Sequence, residues 1–155
     1  MDKNNNCNGV VSHFYRKKSV FITGATGFMG KVLVHKLLQS CPLLDKIYVL
    51  IRSKRGVEPQ DRLQALFRSP IFESIKDTAI LNKVVVLTGD ITFPRLGLSD
   101  HDIDIIVNEV SVIFHSAATV RFDEDLSKYG LHKSVLFKNS FSMVLMFLQI
   151  RCHEH

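Results

Sequence analysis

The residues easiest to connect with chemistry lie early in the chain: Thr23, then Gly24-Ala25-Thr26-Gly27-Phe28-Met29-Gly30. Glycines recur at every third position, G-x-x-G-x-x-G. Each has a separate physical task. Gly24 permits a tight turn off a preceding strand, Gly27 lets the backbone approach a pyrophosphate closely, and Gly30 lets a following helix pack against the sheet. Free backbone N–H groups at the start of that helix then face an anion. This is the arrangement that cradles the pyrophosphate of a dinucleotide, provided a strand precedes the glycines and a helix follows them.

Three further places add to it. In dinucleotide-binding folds an acid at the end of the second strand often holds a ribose, but here that position reads Ile51-Arg52-Ser53-Lys54-Arg55. An arginine there accommodates a 2′-phosphate, to which its planar fork is suited. NADP is therefore expected over NAD, with a solvated basic loop as the other reading. Gly89-Asp90-Ile91 closes the third apolar run and puts Asp90 and Ile91 at the rim where an adenine would lie; a turn aspartate is the alternative. His115-Ser116-Ala117-Ala118-Thr119 closes the fourth. The small Ala117 and Ala118 would let the nicotinamide half pass close to backbone. His115 has the residue type of a base, but a hydrogen-bonded strand-end histidine is the preferred reading.

These residues need a scaffold, and the hydrophobic pattern supplies one. Ser19–Thr23 is a short β-branched apolar run stopped by glycine, as a buried parallel strand requires. Phe28, Val32, Leu33 and Leu37 recur at turn spacing up to Cys41-Pro42, where proline halts a helix. Lys46–Ile51 reads as a second strand, 61–68 as a short helix, Lys83–Thr88 as a third strand and Ser111–His115 as a fourth. Pro94 and Gly97 mark a loop, and Ser99 with Asp102 resembles a capping box opening a helix. Strands alternating with helices predict an α/β fold: a Rossmann-type parallel sheet of about four strands with flanking helices.

Composition agrees with one globular domain of 155 residues, 46% hydrophobic and 23% charged. A net charge of +5 is modest, and no aromatic-interleaved basic face accompanies it, so nucleic acid is not expected as a partner. Cys7, Cys41 and Cys152 are odd in number and far apart, which argues against a disulfide framework. The polar, Asn-rich residues 1–13 read as a mobile leader without an apolar signal stretch. Phe141–Ile150 is apolar but shorter than the ~20 residues a membrane span needs.

Three stretches together resemble the alcohol-forming fatty acyl-CoA reductases, especially those of insects, within the extended short-chain dehydrogenase/reductase group. They are Lys18–Val34 around the glycines, Lys46–Arg52, and Val112-Ile-Phe-His-Ser-Ala-Ala-Thr-Val-Arg-Phe-Asp-Glu124. The resemblance runs from about Phe14 to Glu124. It implies reduction of a long-chain acyl-CoA to a fatty alcohol with NADPH. By match it carries over the glycine loop, Arg52, Asp90 and Ala117-Ala118 as cofactor contacts. The family also uses a Tyr-x-x-x-Lys pair. Tyr129 and Lys133 match that spacing, but they follow Ala118 too closely for the helix and strand that should intervene. The expected organisation is a leader over 1–13, an NADP-binding half-domain over 14–124, and an atypical tail over 125–155. On this reading the chain is an incomplete form that binds NADPH without turnover, or a regulatory partner dimerising with a full-length reductase. Cys152-His153-Glu154-His155 has metal-ligand residue types, but a frayed tail is preferred to a metal site. A cytoplasmic-face location is expected, with membrane association confined to full-length relatives at the endoplasmic reticulum or peroxisome.

Overall fold

The computed structural model of the chain describes residues 5–75 and 77–117. Helix α1 (Asn5–Phe14) precedes strand β1 (Ser19–Thr23), helix α2 (Phe28–Ser40) and strand β2 (Ile47–Ile51). Helix α3 (Pro59–Phe67), a 3-10 turn (Pro70–Phe72) and the short α4 (Thr78–Leu81) lead to β3 (Val84–Thr88). A second 3-10 segment (Pro94–Gly97), helix α5 (Asp100–Glu109) and β4 (Val110–His115) follow. The strands form one parallel sheet in the order β3-β2-β1-β4. The chain steps outward from β1 to β3, then crosses to the far side of β1. The order therefore reverses between β1 and β4, where a ligand crevice forms beyond the strand ends in such sheets.

Alternation along the central strands builds two cores. Val20 and Ile22 of β1, with Ile47, Val49 and Ile51 of β2, point to one face and meet Val34, Leu37 and Leu38 of α2 and Leu63 and Leu66 of α3. Phe21, Tyr48 and Leu50 point to the other and meet Leu87, Leu96 and Ile106. Every residue of β1 and β2 is buried. That explains why these strands read as continuous apolar runs, whereas the outer β3 and β4 do not.

The structure corrects the apolar face expected for α2. Its buried stripe is Gly30, Val34, Leu37 and Leu38, while Phe28 is 81% exposed and Val32 faces out. The first turn packs through Gly30 on the loop at Gly24 and Ala25, and Phe28 is left to solvent. Residues 5–14 are a helix where a mobile leader is expected. Its end is fastened by Tyr15 against the first core, by the Lys17 N–H donating to the Leu43 carbonyl, and by Lys18 Nζ lying 3.5 Å from the Phe14 ring centre. The expected cap of α5 is present, in altered form. The Ser99 hydroxyl oxygen accepts from the Asp102 N–H at 3.1 Å, and the hydroxyl donates to the Asp102 carboxylate at 2.7 Å. Aspartate is one methylene shorter than the usual glutamate and closes on the hydroxyl rather than on the backbone.

Candidate cofactor site

The glycine loop leaves β1 at Thr23 and enters α2 with Gly27 as its N-cap. Gly24 has φ +75°, a left-handed conformation that side chains disfavour. A Cβ there would also lie 2.6 Å from the Ala117 nitrogen and 2.7 Å from the Ser116 carbonyl carbon. Gly24 thus lets the ends of β1 and β4 close together at the reversal point. Gly30 acts within the loop itself, since a Cβ on it would stand 2.2 Å from the Gly24 carbonyl oxygen and 2.6 Å from the Ala25 Cα. The helix consequently packs on the loop, a closer contact than the helix-on-sheet packing expected from spacing. Gly27 differs from both. Its Cβ position meets only the Gly24 oxygen, at 3.2 Å, and the residue is exposed. No side chain caps the helix start, and the N–H groups of Phe28, Met29 and Gly30 have no carbonyl one turn earlier in the helix to reach. The uncapped helix start and the open face at Gly27 fit a pyrophosphate.

Side chains reinforce the β1–β4 junction. Thr23, 1% exposed, shares a hydrogen bond of 2.7 Å between its Oγ1 and His115 Nδ1. The Ser116 hydroxyl donates to the Thr23 carbonyl at 2.7 Å, and the Ser116 N–H donates to it at 3.2 Å. Burial pushes the His115 pKa below its ordinary value. This is the hydrogen-bonded strand-end histidine that the sequence suggests.

The ends of β2 and β3 carry the opposite half of the cleft. Arg52 Nη1 pairs with Asp90 Oδ2 at 3.1 Å. Asp90 Oδ1 accepts from the Thr92 N–H at 3.0 Å and its hydroxyl at 2.9 Å. Burial alone would raise the Asp90 pKa; the hydrogen bonds from Thr92 and Arg52 outweigh it and hold the carboxyl below its ordinary value. Asp90 is therefore both a turn aspartate and the anchor of Arg52. Ile91 packs against the second core. Behind Asp90, Arg95, Leu96 and Gly97 all have positive φ, an unusual left-handed turn held by the burial of Leu96 and by its carbonyl accepting from the Asp90 N–H at 2.8 Å.

One residue here was not visible in the sequence. Arg62 of α3 donates through Nη1 to the Arg52 carbonyl at 2.6 Å and through Nη2 to Thr26 Oγ1 at 3.2 Å. It joins the glycine loop to the end of β2. The only signal available was an arginine one turn into a helix that starts just after Arg52. Of the residues expected at the site, the structure gathers Thr23, Gly24, Thr26, Gly27, Phe28, Met29, Gly30 and Ala117 at the β1–β4 junction and joins Arg52 to Asp90. Ala118, Tyr129, Lys133, the tail over 125–155 and its Cys152–His155 end lie outside the described residues.

Residues 22–132 match the NAD-binding domain family described as "Male sterility protein". The chain belongs to this family. Its cofactor class is accordingly a nicotinamide dinucleotide. Fatty acyl-CoA reductase 1 of Mus musculus is 43% identical over 118 residues, covering 75% of this chain and 23% of that protein. The Homo sapiens protein of the same name is 42% identical over 118 residues, with the same coverage of 75% and 23%. A Drosophila melanogaster relative is 39% identical over 121 residues. This chain thus spans about a quarter of the length of these relatives, 23% in each case. Among solved structures, the terminal R domain of the myxalamid PKS-NRPS pathway aligns with a TM-score of 0.66 at 27% identity, over 83% of this chain and 31% of that one. The reductase domain of a non-ribosomal peptide synthetase from Mycobacterium tuberculosis aligns with a TM-score of 0.57 at 27% identity, over 75% and 29%. The family's fold in these neighbours is the Rossmann-like arrangement described above.

Proposed function

We propose that this chain binds NADPH across the Gly24–Gly30 loop and serves the reduction of a long-chain fatty acyl-CoA to a fatty alcohol. The observation that carries the cofactor half is the junction at Gly24. It brings the uncapped start of α2 to the reversal point of the sheet, with an arginine rather than an acid at the end of β2. The substrate half rests on the relatives named fatty acyl-CoA reductase.

On this reading the chain's own residues bind and orient. The N–H groups of α2 would hold the pyrophosphate, Arg52 the 2′-phosphate, and Asp90 the adenine rim. Thr23, His115 and Ser116 would keep the β1–β4 junction closed beneath the nicotinamide half. The bound cofactor supplies the hydride of the reduction. The alternative reading is a non-catalytic NADPH-binding partner of a full-length reductase; native mass spectrometry of the two mixed tests it, and no heterocomplex would remove it.

Two measurements on the full chain test the proposal. The chain is titrated with NADPH and with NADH, and it is then incubated with NADPH and palmitoyl-CoA while fatty alcohol is assayed. Tighter binding of NADPH than of NADH supports the cofactor assignment. Alcohol formation would show that this chain completes the reaction, whereas binding with no alcohol would assign it the cofactor step alone. Absence of NADPH binding refutes the proposal.

A further inference from the structure

We propose that α1 and the basic turn after it form a peripheral docking face for an anionic phospholipid surface. Between Asp2 and Asp45 the chain has no acid, but it carries Lys3, Arg16, Lys17, Lys18, Lys31 and Lys36. The whole excess behind the net charge of +5 is gathered there, and the rest of the chain is slightly acidic. Among the described residues, Arg16, Lys17 and Lys18 have no carboxylate within ion-pair distance. Asp45, the next acid along, accepts from the Ser19 hydroxyl at 3.5 Å instead. Cations gathered in this way attract a surface of negative charge.

Apolar side chains stand exposed beside these cations. Val10 is 70% exposed and Phe14 52%, and Val11 is exposed with them. Spacings of four and three residues set Phe14 beside both valines on one side of α1. Tyr15 packs the end of the helix against the first core. Leu43, also exposed, is joined to this end by the Lys17 N–H donating to its carbonyl. Lys18 Nζ lies 3.5 Å from the Phe14 ring centre, so charge and apolar surface adjoin. A helix that lies in a membrane interface needs this combination: apolar side chains enter the acyl boundary while Lys and Arg meet the phosphates of the headgroups. No described helix is long and apolar enough to cross a membrane, so the contact is peripheral. The face is also remote from the cradle. Arg16–Lys18 lead into the start of β1 and Leu43 precedes β2, whereas the glycine loop leaves the opposite end of β1. Docking here leaves the cofactor cleft open, and it gives this chain a membrane contact of its own where the sequence suggests one only for full-length relatives.

The test sediments the full chain with vesicles of phosphatidylcholine alone and with vesicles in which about a third of the lipid is phosphatidylserine. Binding is expected to the anionic vesicles only, and should weaken at least about tenfold as salt rises from ~0.1 M to ~0.5 M. Each Lys or Arg near such a surface is worth about fivefold in affinity, so Arg16→Gln combined with Lys17→Gln should weaken binding about 10- to 30-fold. Phe14→Ser should weaken it by about fivefold or more through lost apolar contact. All three positions are exposed, and both variants should keep the wild-type circular dichroism. Absence of binding, or equal binding to both kinds of vesicle, would overturn the proposal. So would anionic binding that both variants leave intact, which would put the contact elsewhere in the chain. Self-association without lipid, seen by sedimentation velocity and lost in Phe14→Ser, would make the face an interface between copies and overturn it too.

Discussion

Gly24→Ala should be far more damaging than its chemistry suggests, and Gly56 provides the control that says why. Both glycines have nearly the same left-handed backbone, φ +75° at Gly24 and +76° at Gly56. A Cβ at Gly56 meets nothing within 4 Å, whereas at Gly24 it would sit 2.6 Å from the Ala117 nitrogen and 2.7 Å from Ala117 Cα and the Ser116 carbonyl carbon. Both variants carry the cost of placing a side chain at positive φ, about 1 kcal/mol. Only Gly24→Ala adds overpacking against backbone that cannot rotate away, a further ~1–3 kcal/mol. With ~2–4 °C per kcal/mol for a chain of this size, Gly56→Ala should lower the thermal midpoint by about 2–4 °C and Gly24→Ala by about 5–15 °C. The assay is thermal unfolding followed by far-ultraviolet circular dichroism. NADPH titration of Gly24→Ala should also show at least about tenfold weaker binding, because the loop must shift away from β4. Equal midpoints for the two variants would refute the claim that close approach of β1 to β4 is what requires glycine.

The depressed pKa of His115 makes a signed prediction about pH. The folded chain resists protonating this ring, while the unfolded chain accepts a proton near its ordinary value of about 6.5. The unfolded state thus binds more protons as pH falls through that region, so the contribution is fully present above about pH 6.5 and declines below it. Wild type should lose midpoint temperature more steeply than His115→Gln between about pH 6.5 and 5; parallel curves there would contradict it. Lys17, exposed and held at φ 57°, should gain from glycine. Relief of the left-handed strain, about 1–2 kcal/mol, exceeds the entropy glycine loses on folding, about 0.5–1 kcal/mol. A chemical denaturation midpoint that rises for Lys17→Gly agrees, and one that falls does not.

The sheet was legible because its central strands are apolar throughout and end in glycine, which leaves few alternatives to a buried parallel strand. Ser19–Thr23 is found as expected, and the other three strands differ by one residue at their starts. The inward face of α2 was misread for an identifiable reason. Gly30 carries no apolar side chain, so hydrophobic spacing passes over it, yet it begins the buried stripe that continues through Val34 and Leu37. Side-chain pairing was less visible still. Arg52 and Asp90 are 38 residues apart, but both stand at the C-terminal ends of neighbouring strands, so their pairing follows once the strand order is known. Arg62 and Thr26 have no such cue, because their contact depends on how α3 lies against the glycine loop. Helix α1 is hidden by its asparagines, which are poor helix formers, and the contacts that fasten its end come from residues 15–18.

The central claim is that the Gly24–Gly30 loop, set at the junction of β1 and β4, is a dinucleotide cradle. The chain has no tryptophan, so the fluorescence of NADPH itself can be followed with little protein background. Titrating the full chain with NADPH should give saturable enhancement to one equivalent, weakened at least about tenfold by Gly24→Ala and competed by excess NADP. An unsaturable signal, or saturable binding that Gly24→Ala leaves intact, would contradict the account.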